Sequence, residues 1–206
     1  MVALSILLSL TTACAERHPG IEVNVWVEVS AQPAGAARVE LDVARLHVTS
    51  VRGVPCGEAL ARALNALQPV SQAWAHGGAA GGGSPLRADV TVPVDLSRSG
   101  RQGLATLRPP PGLWCGLELG VGPDAETATS LLVDARRAGA ARRYLSASTR
   151  LVRVDAVPFS LEAAAPHDLT LQLDAGPPLA SLEPAVTDAR RDLLGTLLAS
   201  LRWNAP

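Results

Sequence analysis

Aromatic residues and lysine are what this sequence most conspicuously lacks. It contains one Phe, one Tyr and four Trp, so a hydrophobic core has to be filled by Leu, Val and Ala. All 18 basic residues are Arg, and the formal net charge is −1. Without a positive surplus the chain has no overall field that would attract nucleic acid. The composition therefore predicts a protein that has no nucleic-acid partner.

Catalytic and nucleotide-binding signatures are missing as well. The sequence contains no G-x-S-x-G, H-E-x-x-H or C-x-x-C motif, which are the local signatures of a nucleophile elbow, a zinc protease and a thiol metal site. The Gly-rich stretch at residues 77–84 is not followed by Gly-Lys-Ser/Thr, so it does not indicate a phosphate-binding loop. We therefore predict a protein without enzymatic activity.

The N-terminal segment carries the clearest positive signal. Residues 2–13 are uncharged and apolar apart from Ser and Thr, a length that fits the core of a signal peptide and is too short to cross a bilayer. Residues 16–20 (Glu-Arg-His-Pro-Gly) are typical of a tether. The sequence predicts a lipoprotein signal peptide over residues 1–13, a tether over 14–20 and one domain over 21–206. A buried N-terminal helix or strand is the alternative.

Two outcomes of processing compete at Cys14. Residues 10–14 (Leu-Thr-Thr-Ala-Cys) resemble a bacterial lipobox, although the Leu lies four residues before the Cys instead of three. Ala13-Cys14-Ala15 also fits an A-x-A cleavage site, and cutting there would release a soluble protein. Lipidation is favoured because it gives the Cys at the end of the apolar segment a role. The predicted partner is then the lipid bilayer, and the location is the periplasm or the outer membrane.

The other two cysteines predict a disulfide. The chain has three cysteines, and either outcome at Cys14 leaves Cys56 and Cys115 in an oxidising compartment. A Cys56–Cys115 bond would close a loop of about 59 residues and stabilise the fold by roughly 4 kcal/mol on the chain-entropy model. Two separate buried thiols are the alternative.

Alternation of apolar and polar residues predicts a mainly β fold. Residues 21–29 alternate over their whole length, with Trp26 on the polar side. The alternation after Val39 slips by one residue, which predicts a β-bulge near Ala44 and Arg45. Leu113 and Cys115 share the parity of three later apolar residues, so both are expected to face inward. Further strands are expected near residues 90–94, 104–107, 131–133, 144–148, 150–157, 159–162 and 169–173.

Two segments have helical spacing instead. Apolar residues recur at helical intervals in residues 57–67 and again in residues 183–201, where Leu193, Leu197 and Leu201 lie on one stripe. The predicted fold is an antiparallel β-sandwich with a short helix after the second strand and a C-terminal helix.

One part of the chain resembles a known group. Residues 94–96 (Val-Asp-Leu), and then a Pro-Gly turn followed by an aromatic strand start in residues 107–119, resemble bacterial lipoproteins of unknown function with an immunoglobulin- or transthyretin-like sandwich. Trp114 stands where Tyr is commoner in that group. The strand at residues 39–51 and the two paired cysteines are similar to myxobacterial members. The resemblance implies a fold and a location, and it implies no activity.

A second resemblance suggests copper. Residues 119–124 (Leu-Gly-Val-Gly-Pro-Asp), after a Pro-Gly turn, resemble a copper-associated family of bacterial periplasmic proteins similar to the methanobactin-linked one. That family uses His and modified Trp for copper, which would make His47 and His76 the candidate ligands. No two of the four His lie within five residues of each other, so no local chelate exists. His47 is out of phase with Leu46 and Val48, and we expect it to be exposed.

Two charged clusters complete the candidate sites. Asp124, Glu126 and Asp134 could supply oxygen ligands to Ca²⁺, although their spacing matches no known calcium loop. Four arginines at residues 136, 137, 142 and 143 could contact anionic lipid or polysaccharide. For both clusters the alternative is a solvated loop or hairpin.

These observations give a ranked set of functional hypotheses. The first is an exported, lipid-anchored, non-enzymatic protein with a role in binding or assembly, whose partner is a protein or a glycan. The alternative is a periplasmic copper-handling protein; otherwise no cofactor is expected. An enzyme on a sandwich scaffold ranks last.

Overall fold

Ten strands and two short helices make up most of the described chain. A computed structural model describes residues 20–31, 39–57, 84–137, 139–162, 166–180 and 192–204. The strands are β1 (Val23–Ser30), β2 (Val39–Pro55), β3 (Arg87–Asp95), β4 (Gly100–Leu107), β5 (Gly112–Val121), β6 (Leu131–Arg137), β7 (Ala140–Ser146), β8 (Arg150–Leu161), β9 (His167–Asp174) and β10 (Leu201–Asn204). The helices are α1 (Gly176–Ala180) and α2 (Leu193–Ala199). Strands account for 65% of the structure, which confirms a mainly β fold.

The smaller sheet has four strands in the order β10-β9-β1-β4. Every second residue of β1 from Val23 to Val29 is buried, because successive side chains of a strand point to opposite faces. β1 runs antiparallel to β4 but parallel to β9, with Val25 level with Leu169. The prediction of a wholly antiparallel sandwich is therefore wrong at this pair. A parallel pair needs a long connection, and here the larger sheet lies between β1 and β9 along the chain.

The larger sheet is organised by β2, which is 17 residues long. Its first part pairs with β6, its second part pairs with β5, and β3 lies along its opposite edge. β5 and β6 therefore follow each other in one line beside β2. β8 and β7 form a second line beside them. Pro93 lies in β3, which pairs with β2 alone among the described strands, so its missing N–H falls on an edge strand as predicted.

Side chains of both sheets form one hydrophobic cluster, an arrangement consistent with a β-sandwich. Its largest fully buried members are all Leu or Val, as the scarcity of aromatic residues predicts. Each such side chain contributes about 1.5–3 kcal/mol on burial. Trp114 is also fully enclosed, whereas Phe159 and Tyr144 lie at the margin of the cluster.

Two shifts of register change which residues face the core. Against β6, the register of β2 shifts between Leu41 and Val43, so the predicted bulge exists but lies slightly before Ala44. A second shift falls between Trp114 and Gly116 of β5. Trp114 is 3% exposed and Leu113 is 53% exposed, so the prediction that Leu113 faces inward is wrong. A one-residue shift moves side chains to the other face of the sheet.

The predicted disulfide is confirmed. Cys56 follows the last residue of β2, Cys115 lies in β5, and their Cα atoms are 4.9 Å apart. The backbone N–H of Cys56 also donates to the carbonyl of Leu113 at 2.9 Å. The bond therefore ties the end of β2 to the irregular part of β5.

The helix predictions are confirmed only in part. The expected helix at residues 57–67 lies almost wholly outside the described residues, as do residues 181–191 of the expected C-terminal helix. Within residues 192–204 the helix spans only Leu193–Ala199, capped by Asp192, whose carboxylate accepts the N–H of Gly195 at 2.8 Å. Leu201 lies in β10, so its prediction as a helical residue is wrong. β10 pairs with β9, and those ladder hydrogen bonds replace further helical turns.

Candidate functional site

His47 and Asp124 form the least exposed ion pair in the described part of the chain. Their side chains are 10% and 7% exposed, and Nε2 of His47 lies 3.0 Å from Oδ2 of Asp124. His47 belongs to β2, and Asp124 belongs to the connection between β5 and β6. We call residues 122–130 the β5–β6 connection. The pair fastens this connection onto the outer face of the larger sheet.

The backbone of His47 holds both ends of the β5–β6 connection. Its N–H donates to the carbonyl of Ser130 at 2.9 Å, and its own carbonyl accepts the N–H of Gly122 at 3.2 Å. Both groups point to the side of β2 along which β5 and β6 lie. The connection thus leaves the line of strands at Gly122 and returns to it at Ser130, directly beside His47.

Asp124 also organises the turn inside the connection. Its carboxylate accepts the N–H groups of Glu126 and Thr127, each at 2.6 Å, and the hydroxyl of Thr127. The Thr127 hydroxyl is the strongest influence that lowers the pKa of Asp124, followed by the backbone N–H of Thr127, while desolvation opposes them. His47 adds a smaller lowering of the same pKa. The carboxylate is therefore stabilised in its charged form.

The pair has the chemistry of an oriented base but not the access. An imidazole held by a carboxylate through one nitrogen is the arrangement that orients a general base. Here Nδ1 is the nitrogen left over, and it is buried with no hydrogen-bond partner among the described residues. A group that transfers a proton has to reach its substrate within hydrogen-bond distance. The geometry therefore supports a structural role for His47.

These contacts correct one prediction and bear on another. His47 faces away from Leu46 and Val48 as expected, yet it is buried, because the β5–β6 connection covers it. Its Nε2 is already engaged by Asp124, which leaves it poorly placed as a copper ligand. Within the described ranges no group of three or more His, Cys, Asp or Glu side chains is placed to hold a metal ion. His76 lies outside those ranges.

The calcium and arginine clusters do not assemble as sites. Asp134 lies in β6 and accepts from Nε of Arg143 at 2.6 Å, so it is not a neighbour ligand of Asp124. Arg136 pairs with Asp42 at 3.0 Å. Two of the four arginines are therefore neutralised by carboxylates, which weakens the patch proposed for anionic lipid or polysaccharide. The hairpin that carries them is confirmed, with Val133 opposite Tyr144.

The remaining predicted residues are scattered. Cys56 and Cys115 are joined to each other. Nε2 of His167 lies 3.1 Å from the carbonyl of Glu162 at the start of β9. Cys14 and His18 lie outside the described residues. The structure therefore gives only one of the predicted histidines, His47, a carboxylate partner, and that partner is Asp124, for which the sequence predicts only calcium binding.

A polar surface around Trp26 is the feature that sequence reasoning missed. Trp26 lies on the outer face of the smaller sheet, and the guanidinium of Arg101 stacks over its ring at 4.4 Å. Arg101 also donates to Asp168 at 2.8 Å, and Asn24 links Asp168 to Thr106. We call these five residues the Trp26 surface. Only the parity of Trp26 in its strand pointed to it.

Electrostatics keep the Trp26 surface in one arrangement. The hydrogen bond from Arg101 is the main cause that lowers the pKa of Asp168, against opposing desolvation, with smaller contributions from Trp26 and Asn24. Arg101 lies opposite Glu28 in the strand register, yet its guanidinium crosses the indole to reach Asp168. The surface is therefore a pre-formed group of an aromatic ring, an amide, a hydroxyl and two opposite charges.

Comparison with known proteins adds no relative. No family model, curated protein or solved structure matches this chain. No helix of the described residues is long and apolar enough to cross a membrane.

Proposed function

We infer that this protein is exported, lipid-anchored in the cell envelope and non-enzymatic, with a role in binding or assembly. The Cys56–Cys115 disulfide is the observation that carries the proposal. Disulfides persist in secreted and periplasmic proteins and are rare in the cytosol. The bond therefore supports the interpretation of residues 1–13 as a signal peptide.

The disulfide also defines the role left for Cys14. The chain has three cysteines, and two of them are bonded to each other. Cys14 is then the one cysteine that remains for acylation. The lipobox-like residues 10–14 and the resemblance of residues 94–119 to bacterial lipoproteins point the same way. The bilayer is the first proposed partner.

The binding part of the proposal is supported by the Trp26 surface. Tryptophan with polar neighbours is frequent at recognition sites, because the ring offers a large contact area with a polar edge. Here Arg101, Asp168 and Asn24 surround the ring with donors and acceptors. Such a surface suits a polar partner, either a glycan or a polar protein face. The buried position of His47 supports a binding role over a catalytic one.

Intact mass spectrometry of protein from the native cell tests export and anchoring together. We expect a mature chain that begins at acylated Cys14 and does not react with a thiol probe until it is reduced. Cys14→Ser should abolish acylation and leave the Cys56–Cys115 bond in place. An unmodified start at Glu16 would remove the anchor but keep export. A chain that retains Met1 and reacts at both Cys56 and Cys115 would overturn the whole proposal.

Copper handling is left without support from the described residues. His47 gives its Nε2 to Asp124, and the alternative depends on His76 and on the resemblance of residues 119–124. Metal analysis of protein from a copper-fed native host decides it. Stoichiometric copper that disappears in His76→Ala would revive this hypothesis.

A further inference from the structure

The outer edge of β8 is open in the described structure. β8 pairs with β5 along one edge, and no other described strand lies along its second edge. Such an edge presents a row of backbone N–H and C=O groups that have no ladder partner. An extended strand of another chain can pair with these groups.

The side chains of β8 alternate along this edge. Leu151, Arg153, Asp155 and Val157 are exposed, and Val154 between them is buried. Leu151 is 69% exposed and Val157 is 80% exposed, the two highest values among the large hydrophobic residues of the described chain. Nothing in the described fold of a single copy accounts for two such side chains on one strand.

The order of these four residues is self-complementary. If a second copy of β8 runs antiparallel and is aligned at Val154, Leu151 of each copy lies opposite Val157 of the other. Arg153 of each copy then lies opposite Asp155 of the other. Apolar pairs and opposite-charge pairs across neighbouring strands are both stabilising. An arrangement in which each copy presents the same surface is that of a two-fold symmetric dimer.

We propose that this protein forms a homodimer by antiparallel pairing of its β8 strands about Val154. The two larger sheets then join into one continuous sheet across the two-fold axis. The proposal concerns the described domain alone, and it requires neither export nor a lipid anchor.

Neighbouring registers lack this complementarity. Alignment at Arg153 places Arg153 against its own copy and Leu151 against Asp155. Alignment at Asp155 places Asp155 against its own copy and Arg153 against Val157. Like charges directly opposite each other are destabilising. Of these three registers, the one aligned at Val154 alone matches every outward pair.

The structure also shows where the pairing ends. The register of β5 and β8 shifts between Asp155 and Phe159, and Pro158 has no N–H to donate to a ladder. Bulges and prolines limit pairing at sheet edges. The dimer ladder is therefore short, extending from Leu151 to Val157. Within one copy, Nε of Arg153 lies 2.7 Å from Asp155, so the dimer converts two local ion pairs into a cluster of four charges.

Charge exchange provides the decisive experiment. Two copies of the full chain with different C-terminal tags are co-expressed, extracted in mild detergent and captured through one tag, and the co-purified second copy is quantified. Wild-type copies should co-purify. Arg153→Asp with itself, and Asp155→Arg with itself, should self-associate at least about tenfold more weakly, because each places like charges opposite each other.

Mixing the two variants restores the proposed contacts. An Arg153→Asp copy and an Asp155→Arg copy present opposite charges at both positions, so this mixed pair should co-purify as well as wild type. A folding defect in either variant could not produce such rescue. Failure of wild-type copies to co-purify, or a mixed pair no better than the self pairs, would overturn the proposal.

An apolar substitution supplies a matched control. Val157→Arg should weaken co-purification, because it places a charge opposite Leu151 of the other copy. Leu145 in β7 is 54% exposed and lies outside the proposed ladder, so Leu145→Arg should leave co-purification unchanged. Equal loss in both variants would show association through a general apolar surface and would contradict pairing through β8.

Discussion

The larger sheet departs from regular pairing at both ends of β5, and it holds the two ends by different means. At one end the register shifts between Trp114 and Gly116, and the Cys56–Cys115 disulfide fixes the irregular residues. At the other end the β5–β6 connection leaves the sheet, and His47 and Asp124 hold it in place. One end is covalent and the other is polar.

The difference teaches which conditions each end resists. A disulfide constrains the unfolded chain as well as the folded one, and it is insensitive to moderate changes of pH. A carboxylate that gains hydrogen bonds on folding stabilises the fold only while it is charged. The Cys115 end should therefore respond to reduction and the Asp124 end to acid.

Removal of the disulfide should produce the largest effect. Cys56→Ser with Cys115→Ser should lower the free energy of unfolding by about 2–5 kcal/mol, because the unfolded chain regains the freedom of a long loop. Urea denaturation of the variant and of reduced wild-type protein measures this loss. The two samples should agree with each other, and an unchanged midpoint in both would show that the bond adds no stability.

Gly116→Ala should be the next most costly change. A Cβ at Gly116 would lie 2.4 Å from the carbonyl oxygen of Val154, at a φ of +157°. Backbone strain and a clash with the neighbouring strand together cost about 2–3 kcal/mol. Gly103→Ala is the matched control, because its Cβ would meet Trp26 at an ordinary 3.4 Å. The control should change the urea midpoint little.

Much of the fold can be predicted from alternation, but register cannot. The pattern of residues 21–29 identifies β1 correctly, and the pairing of Cys56 with Cys115 follows from a count. The direction of β9 beside β1 cannot be derived, because parallel and antiparallel strands alternate alike. The inward position of Trp114 escapes prediction, since it depends on a shift that the partner strands impose.

The candidate site is harder to predict for the same physical reason. Parity places His47 on the correct face of β2, but its burial depends on the β5–β6 connection, which is remote in sequence. The sequence shows Asp124 close to other carboxylates, which suggests calcium, and it does not show the histidine that approaches from another strand. The Trp26 surface combines β1, β4 and β9, which only the sheet order brings together.

Asp124→Asn should produce a smaller, pH-dependent effect. The pKa of Asp124 is lowered from 3.8, chiefly by Thr127, so its charge stabilises the fold above that value and the stabilisation is lost as the pH falls through the lower folded pKa. The variant should therefore be less stable than wild type at neutral pH, with a difference that shrinks below about pH 4. Urea midpoints across about pH 2–7 measure it, and a pH-independent difference would contradict the charge-based explanation.

Ala128→Gly should produce the smallest effect and one of opposite sign. Ala128 has a φ of 53° in the β5–β6 connection, a left-handed conformation that costs a residue with a Cβ about 1–2 kcal/mol. Glycine removes that strain but makes the unfolded chain more flexible, which costs about 0.4–1 kcal/mol. Relief of the strain outweighs the added flexibility, so a net gain of about 0.5 kcal/mol is expected in urea denaturation. Ala125→Gly in the same connection is the control. No positive φ relieves its cost, so it should destabilise, and a gain in both variants would mean that the connection tolerates glycine for another reason than its backbone geometry.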